Sequence, residues 1–156
     1  MTVAEIVEML RARHPTRHGE WVFLTEVRTG TGWDPGLGER YFDAFAMNLW
    51  PSKAFCRVGY EIKVQRSDWL RELRDPLKGV QGRLLCHQFW YALGPGVLEP
   101  EDWRQLGDSR KLGLLVVEDG RLVEKQRPRP DRMPWPMPEG FVASLLRNAA
   151  KLPEVL

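Results

Sequence analysis

With 156 residues, an ordinary share of hydrophobic side chains (43%) and a slightly raised charged share (28%), the chain is long enough for one domain around a real core. A net charge of +2 is too small for bulk electrostatics to demand a polyanionic partner. Two cysteines, Cys56 and Cys86, exclude a disulfide-framed secreted domain, and no apolar run approaches membrane-spanning length.

Met1 to His14 carries acids and arginines where a signal peptide would carry an apolar core. A soluble protein of a reducing compartment, the cytoplasm, is therefore expected, with no membrane partner. Charge is unevenly placed. From Lys53 to Arg83 there are eight Lys/Arg against four acids, so this segment is +4 and the remainder is −2. A phosphate-binding surface has that asymmetry, and so does a solvated helical face.

The elements follow in order. Thr2-Val3-Ala4-Glu5 has capping-box spacing, and Val3, Ile6, Val7 and Leu10 recur at helical period, which predicts a helix over residues 3–13. Trp21 to Leu24 reads as a strand, with Glu26 just beyond it, and Thr29 to Gly38 as a glycine-rich turn. Tyr41 to Met47 and Phe55 to Val64 read as two further strands, separated by Asn48-Leu49-Trp50-Pro51-Ser52-Lys53. Ser67 has the chemistry of an N-cap, and Trp69, Leu70 and Leu73 form an apolar stripe behind it. Phe89 to Leu93 predicts a strand. Leu112 to Val117 and Leu122 onward, joined by Asp119-Gly120, predict a hairpin with a two-residue turn. Gln126 to Pro138 is proline-rich and extended, and Phe141 to Leu152 predicts a final amphipathic helix. The order implies a mixed β-sheet flanked by helices, of the α/β class. One domain is expected, with a body over residues 1–126 and a proline-rich extension and helix over 127–156.

The chemistry concentrates at Glu61-Ile62-Lys63, the only E-x-K in the chain. Side chains two apart on a strand project from one face, so Glu61 and Lys63 point together. Asp43 lies inside another apolar run, where an unpaired carboxylate is costly. Two acids suit a hard divalent cation through oxygen, and a lysine beside them suits the negative charge that develops in phosphodiester cleavage. The plain reading of the same residues is a surface strand with a Glu–Lys pair and an Asp that caps a turn.

Asp43-Ala44-Phe45-Ala46-Met47-Asn48-Leu49-Trp50-Pro51-Ser52, then Gly59-Tyr60-Glu61-Ile62-Lys63-Val64 and Arg66-Ser67-Asp68-Trp69, resemble the PD-(D/E)XK nuclease superfamily. Within it they look like small phage-borne and bacterial members near the MmcB-like DNA-repair group. The resemblance covers about residues 20–95 and departs from the signature at Phe42, where a proline is usual. It implies a restriction-endonuclease-like αβββαβ core and metal-dependent DNA hydrolysis in repair, recombination or phage DNA processing. Asp43 and Glu61 would hold Mg²⁺ or Mn²⁺, and Lys63 would position or activate the attacking water. It implies a further acid, for which Glu26 is the first candidate and Glu20 the second, and a glutamine on the following helix, matched by Gln81.

Ser52 and Lys53, beside the chain-stiffening Pro51, and Arg66 and Ser67, at a helix start, are candidate DNA phosphate contacts. A zinc site from His14, His18, Cys86 and His87 is disfavoured, because adjacent strand residues point apart and no C-x-x-C half is present. Two other readings are a catalytically silent DNA-binding module and an assembly protein acting through the proline-rich tail. The last helix either packs on the chain's own sheet or pairs across a two-fold axis in a homodimer.

Overall fold

The computed structural model describes residues 1–28, 41–75, 80–106 and 111–153. Helix α1 (Val3–Ala12) opens with the capping box its sequence spells: Thr2 Oγ1 accepts from Glu5 N–H at 3.2 Å, and Glu5 Oε2 accepts from Thr2 N–H at 2.6 Å. Strands β1 (Trp21–Arg28), β2 (Tyr41–Asn48) and β3 (Arg57–Lys63) follow, then helices α2 (Arg66–Arg74) and α3 (Val80–Leu84). Strands β4 (Gln88–Leu93), β5 (Leu112–Glu118) and β6 (Arg121–Gln126) complete the sheet, and helix α4 (Glu139–Ala149) comes last.

Among the described residues the six strands form one mixed sheet in chain order. β1, β2 and β3 pair antiparallel, β3, β4 and β5 run parallel, and β6 returns antiparallel on β5. The α/β class and the mixed, helix-flanked sheet are as expected. Asp119 and Gly120 both take positive φ (49° and 74°), as a primed two-residue hairpin turn requires.

Each sheet face has its own core. α1 lays Ile6 and Leu10 on one face, against Phe23, Ala44, Val58, Tyr60, Ile62 and Trp90. The other face carries Phe45, Phe89, Tyr91 and Leu93 under Trp69 and Leu73 of α2 and Phe141 of α4. Phe141 is fully buried, 5.5 Å from Phe45 and 6.0 Å from Phe42 between ring centroids. The last helix therefore packs on its own sheet, through a stripe that also includes buried Ser144, while Leu146 stays 66% exposed.

Several boundaries differ from expectation. Phe55 is excluded from β3 because it and Ala54 take left-handed backbone after a short 3₁₀ turn at Pro51–Lys53. Ser67 is not the N-cap of α2. The helix starts two residues earlier, at Arg66, with Gln65 extended before it and Ser67 exposed in the first turn. The short helix α3 carries Gln81, as the resemblance implies for a following helix; its five residues give too little periodicity to be read by themselves. The glycine-rich turn, Thr29 to Gly38, falls outside the described residues.

Candidate functional site

The site is built where β3 ends and β2 begins. Glu61 and Lys63 share one face of β3, opposite Tyr91 and Leu93 of the parallel neighbour β4. Lys63 Nζ donates to Glu61 Oε1 at 2.8 Å and lies 3.6 Å from Glu72 Oε2 of α2. The other oxygen of Glu72 accepts from the Tyr91 hydroxyl at 3.1 Å. The lysine is thus held between two acids, and its side chain is only 16% exposed.

Asp43 reaches this group through an irregularity shared by two strands. β1 and β2 pair from Trp21↔Asn48 to Thr25↔Ala44, skip Glu26 and Asp43, and resume in the same register at Val27↔Phe42. Glu26 takes a left-handed φ of 51° at the gap. On both strands the side-chain alternation breaks there: Leu24 and Val27, and likewise Phe42 and Phe45, belong to one core. The β2/β3 ladder stops at Ala44↔Tyr60, so Ile62 N–H lacks the strand partner the next rung would give. Asp43 Oδ2 takes its place, accepting from Ile62 N–H at 2.7 Å. A local break in a sheet has re-aimed an acid into the plane of the strands, beside Glu61.

Burial sets the electrostatics. It pushes the Asp43 carboxyl up, against the stabilising Ile62 N–H, with the negative charges of Glu26 and Glu72 adding to the rise. Burial and then the neighbouring Asp43 push Glu61 up to about 7, although Lys63 opposes this. Burial alone would lower Lys63, but Glu61, Glu72 and Asp43 outweigh it and hold the ammonium above its ordinary range. Three carboxylates against one ammonium make a cluster that repels a bare phosphate and favours a cation.

A testable consequence lies in stability. The folded state holds the Glu61 proton up to about pH 7, whereas the unfolded chain releases it near the ordinary carboxylate value. This group's contribution is fully present below that value and is lost as pH rises through 7. Glu61→Gln is expected to stabilise the metal-free protein at pH 8 by on the order of 2 kcal/mol, with the gain shrinking towards zero near pH 4.5. Urea unfolding with a chelator at both pH values checks this; an equal effect at both contradicts it.

The other sequence candidates separate. Glu26 faces the Asp43 end of the sheet, exposed on the edge strand. Glu20 lies at the opposite end, where its backbone carbonyl accepts from Leu49 N–H and its side chain from Asn48, so it is not the third acid. Ser52 and Lys53 also sit at that far end, before β3 starts, and are not brought to the acids. The Arg66 guanidinium is not directed at a ligand. It forms a two-pronged pair with Asp102 and donates to Val97 C=O at 2.7 Å and Glu99 at 3.1 Å. The basic excess of the segment is correspondingly dispersed: Arg57 is buried, Arg66 is engaged, and Lys53 is remote. Gln81 lies on α3, but its side chain falls outside the described ones. His87 Nδ1 accepts from Arg57 N–H, and Cys56 and Cys86 are free thiols.

Sequence reasoning missed Glu72. The signal was present, because positions 69, 72 and 73 share one helix face and Trp69 and Leu73 are both buried against the sheet. An acid on that stripe had to find a partner under the helix.

The same fold occurs in a solved structure, the SPO1766 protein of unknown function from Silicibacter pomeroyi, with a TM-score of 0.52 and 18% identity over 91% of this chain and 82% of that chain. At that identity the likeness concerns the fold alone. No family model matches the chain, and no curated protein matches it. No helix among the described residues is long and apolar enough to cross a membrane.

Proposed function

We propose that this protein is a metal-dependent DNA nuclease whose active site is Asp43, Glu61 and Lys63. The observation that carries the reading is the convergence of these three side chains at one end of the sheet. Asp43 Oδ2 and Glu61 Oε1 are hydrogen-bonded to Ile62 N–H and Lys63, which leaves Asp43 Oδ1 and Glu61 Oε2 without a hydrogen-bond partner among the described residues.

No group of three or more His, Cys, Asp or Glu that would cage a cation occurs among the described residues. The donor set nevertheless fits Mg²⁺ or Mn²⁺, since such ions are commonly held by one or two carboxylates and complete their shell with water and substrate phosphate. Asp43 and Glu61 would hold the ion, which when bound supplies Lewis acidity towards a phosphate oxygen and lowers the pKa of its water. The protein's own share is positional. The Ile62 N–H fixes Asp43, and Glu61 and Glu72 fix the Lys63 ammonium from two sides. Lys63 then lies where it can orient a water and stabilise charge on the attacked phosphate. Glu72 touches Lys63 and Tyr91 and acts through them as a positioning residue.

The test is a cleavage panel on end-labelled linear, single-stranded and branched DNA, with Mn²⁺, with Mg²⁺ and with chelator. Metal-dependent cleavage of at least one substrate is expected. DNA binding without cleavage in Mn²⁺ would leave a silent binding module, and neither binding nor cleavage would favour an assembly protein.

A further inference from the structure

The face of the sheet that α1 covers holds a second constellation, at the opposite end from the acid cluster. A cavity of about 540 Å³ opens between the C-terminal end of α1, the start of β1 and the link from β2 to β3. That volume is ordinary for a small-molecule site.

The polar groups facing it are unusual in their sign. His14 is 6% exposed, and its Nε2 lies 2.6 Å from the Tyr60 hydroxyl. The Arg13 charge also acts on that hydroxyl, opposing the rise that burial gives it. The other ring nitrogen, Nδ1, is buried without a hydrogen-bond partner among the described residues. Burial pushes the imidazole down to about 4, so the ring is neutral at physiological pH. Gln88 Oε1 accepts from Trp90 Nε1 at 3.2 Å, which leaves the Gln88 amide N–H groups without a partner among the described residues. Lys53 is exposed and forms no ion pair among the described residues. One carboxylate lies on the rim, Glu20, whose Oε1 accepts from Asn48 at 3.3 Å. Against that single acid stand the Lys53 ammonium, the Arg13 guanidinium and the Gln88 amide, beside an aromatic wall with half-buried Trp21 4.5 Å from the His14 ring.

Unpaired donors ask for an acceptor-rich, anionic ligand, and an aromatic wall asks for a planar one. We infer that this groove binds a nucleotide, with the base against Trp21 and the phosphate on Lys53. The nucleotide is either free or the phosphorylated end of a strand; both present the same chemistry. This site lies on the other face of the sheet from Asp43, Glu61 and Lys63 and does not depend on the function proposed for them.

Calorimetric titration of the whole protein, with chelator present, tests the inference. The probes are adenosine 5′-monophosphate, adenosine, ribose 5-phosphate and a 5′-phosphorylated dinucleotide. The monophosphate is expected to bind with Kd below about 1 mM, and adenosine and ribose 5-phosphate each at least about 10-fold more weakly. Lys53→Ala, an exposed change, should weaken the monophosphate at least about 5-fold with an unchanged melting temperature, and Gln88→Leu should also weaken it. Lys63→Ala, on the opposite face, should leave this binding as it is. Tighter binding of the dinucleotide identifies a strand end as the ligand, and equal or weaker binding identifies the free nucleotide. No saturable binding of the monophosphate up to about 10 mM, or equal binding by wild type and Lys53→Ala, overturns the site.

Discussion

Asp43→Asn, Glu61→Gln and Lys63→Ala are each expected to lower metal-dependent DNA cleavage by at least about 100-fold while leaving the fold intact. The substitutions are chosen against the observed contacts. Asparagine at 43 keeps an oxygen for the Ile62 N–H, so the junction of β2 and β3 survives and only the charge is lost. Glutamine at 61 keeps an acceptor for Lys63 and removes the buried charge that Asp43 opposes. Alanine at 63 removes the ammonium held between Glu61 and Glu72 and leaves the hydrophobic side chains of both cores in place. Single-turnover rates alongside thermal melts separate chemistry from stability. A Lys63→Ala protein that cuts at the wild-type rate would refute the assignment.

Asp102→Ala is expected to be the most damaging single change to stability, by about 3 kcal/mol or more. Asp102 has no exposed surface and accepts from both terminal nitrogens of Arg66, from Trp69 Nε1 at 3.0 Å and from Glu99 N–H at 2.9 Å. One carboxylate thereby ties the first turn of α2 to the segment after β4. Removing it strands a buried indole N–H and leaves Arg66 only Val97 C=O and Glu99 as partners. Since α2 carries Glu72, the damage reaches the site as well. Chemical denaturation measures the loss; a change below about 1 kcal/mol would show that the clasp contributes little.

Much of this arrangement was legible from residue order. Period-two alternation around Glu61 and Lys63 placed both on one strand face, and Asp119-Gly120 announced a hairpin that the backbone forms. Asp43 was legible as an acid in an apolar strand, but its route to Glu61 was not. A regular strand would have aimed it onto a face, and the left-handed Glu26 that breaks the alternation has no sequence mark, since glutamate seldom adopts that backbone. Charge misled where it was read along the chain. Arg66 and Lys53 belong to one basic segment in sequence, yet one is clamped by Asp102 and the other sits at the far end of the sheet. Partners from positions 30 or more residues away decide such roles, and local patterns do not carry them.

The most direct test is whether Asp43 and Glu61 together take up a divalent cation. Calorimetric titration of Mn²⁺ into wild type and into the Asp43→Asn/Glu61→Gln double variant at pH 8 measures this without a nucleic acid. Saturable binding by the wild type that disappears in the double variant is the predicted result. Binding that persists unchanged when both carboxylates are gone, or no binding by the wild type, would contradict a metal site at the end of β3.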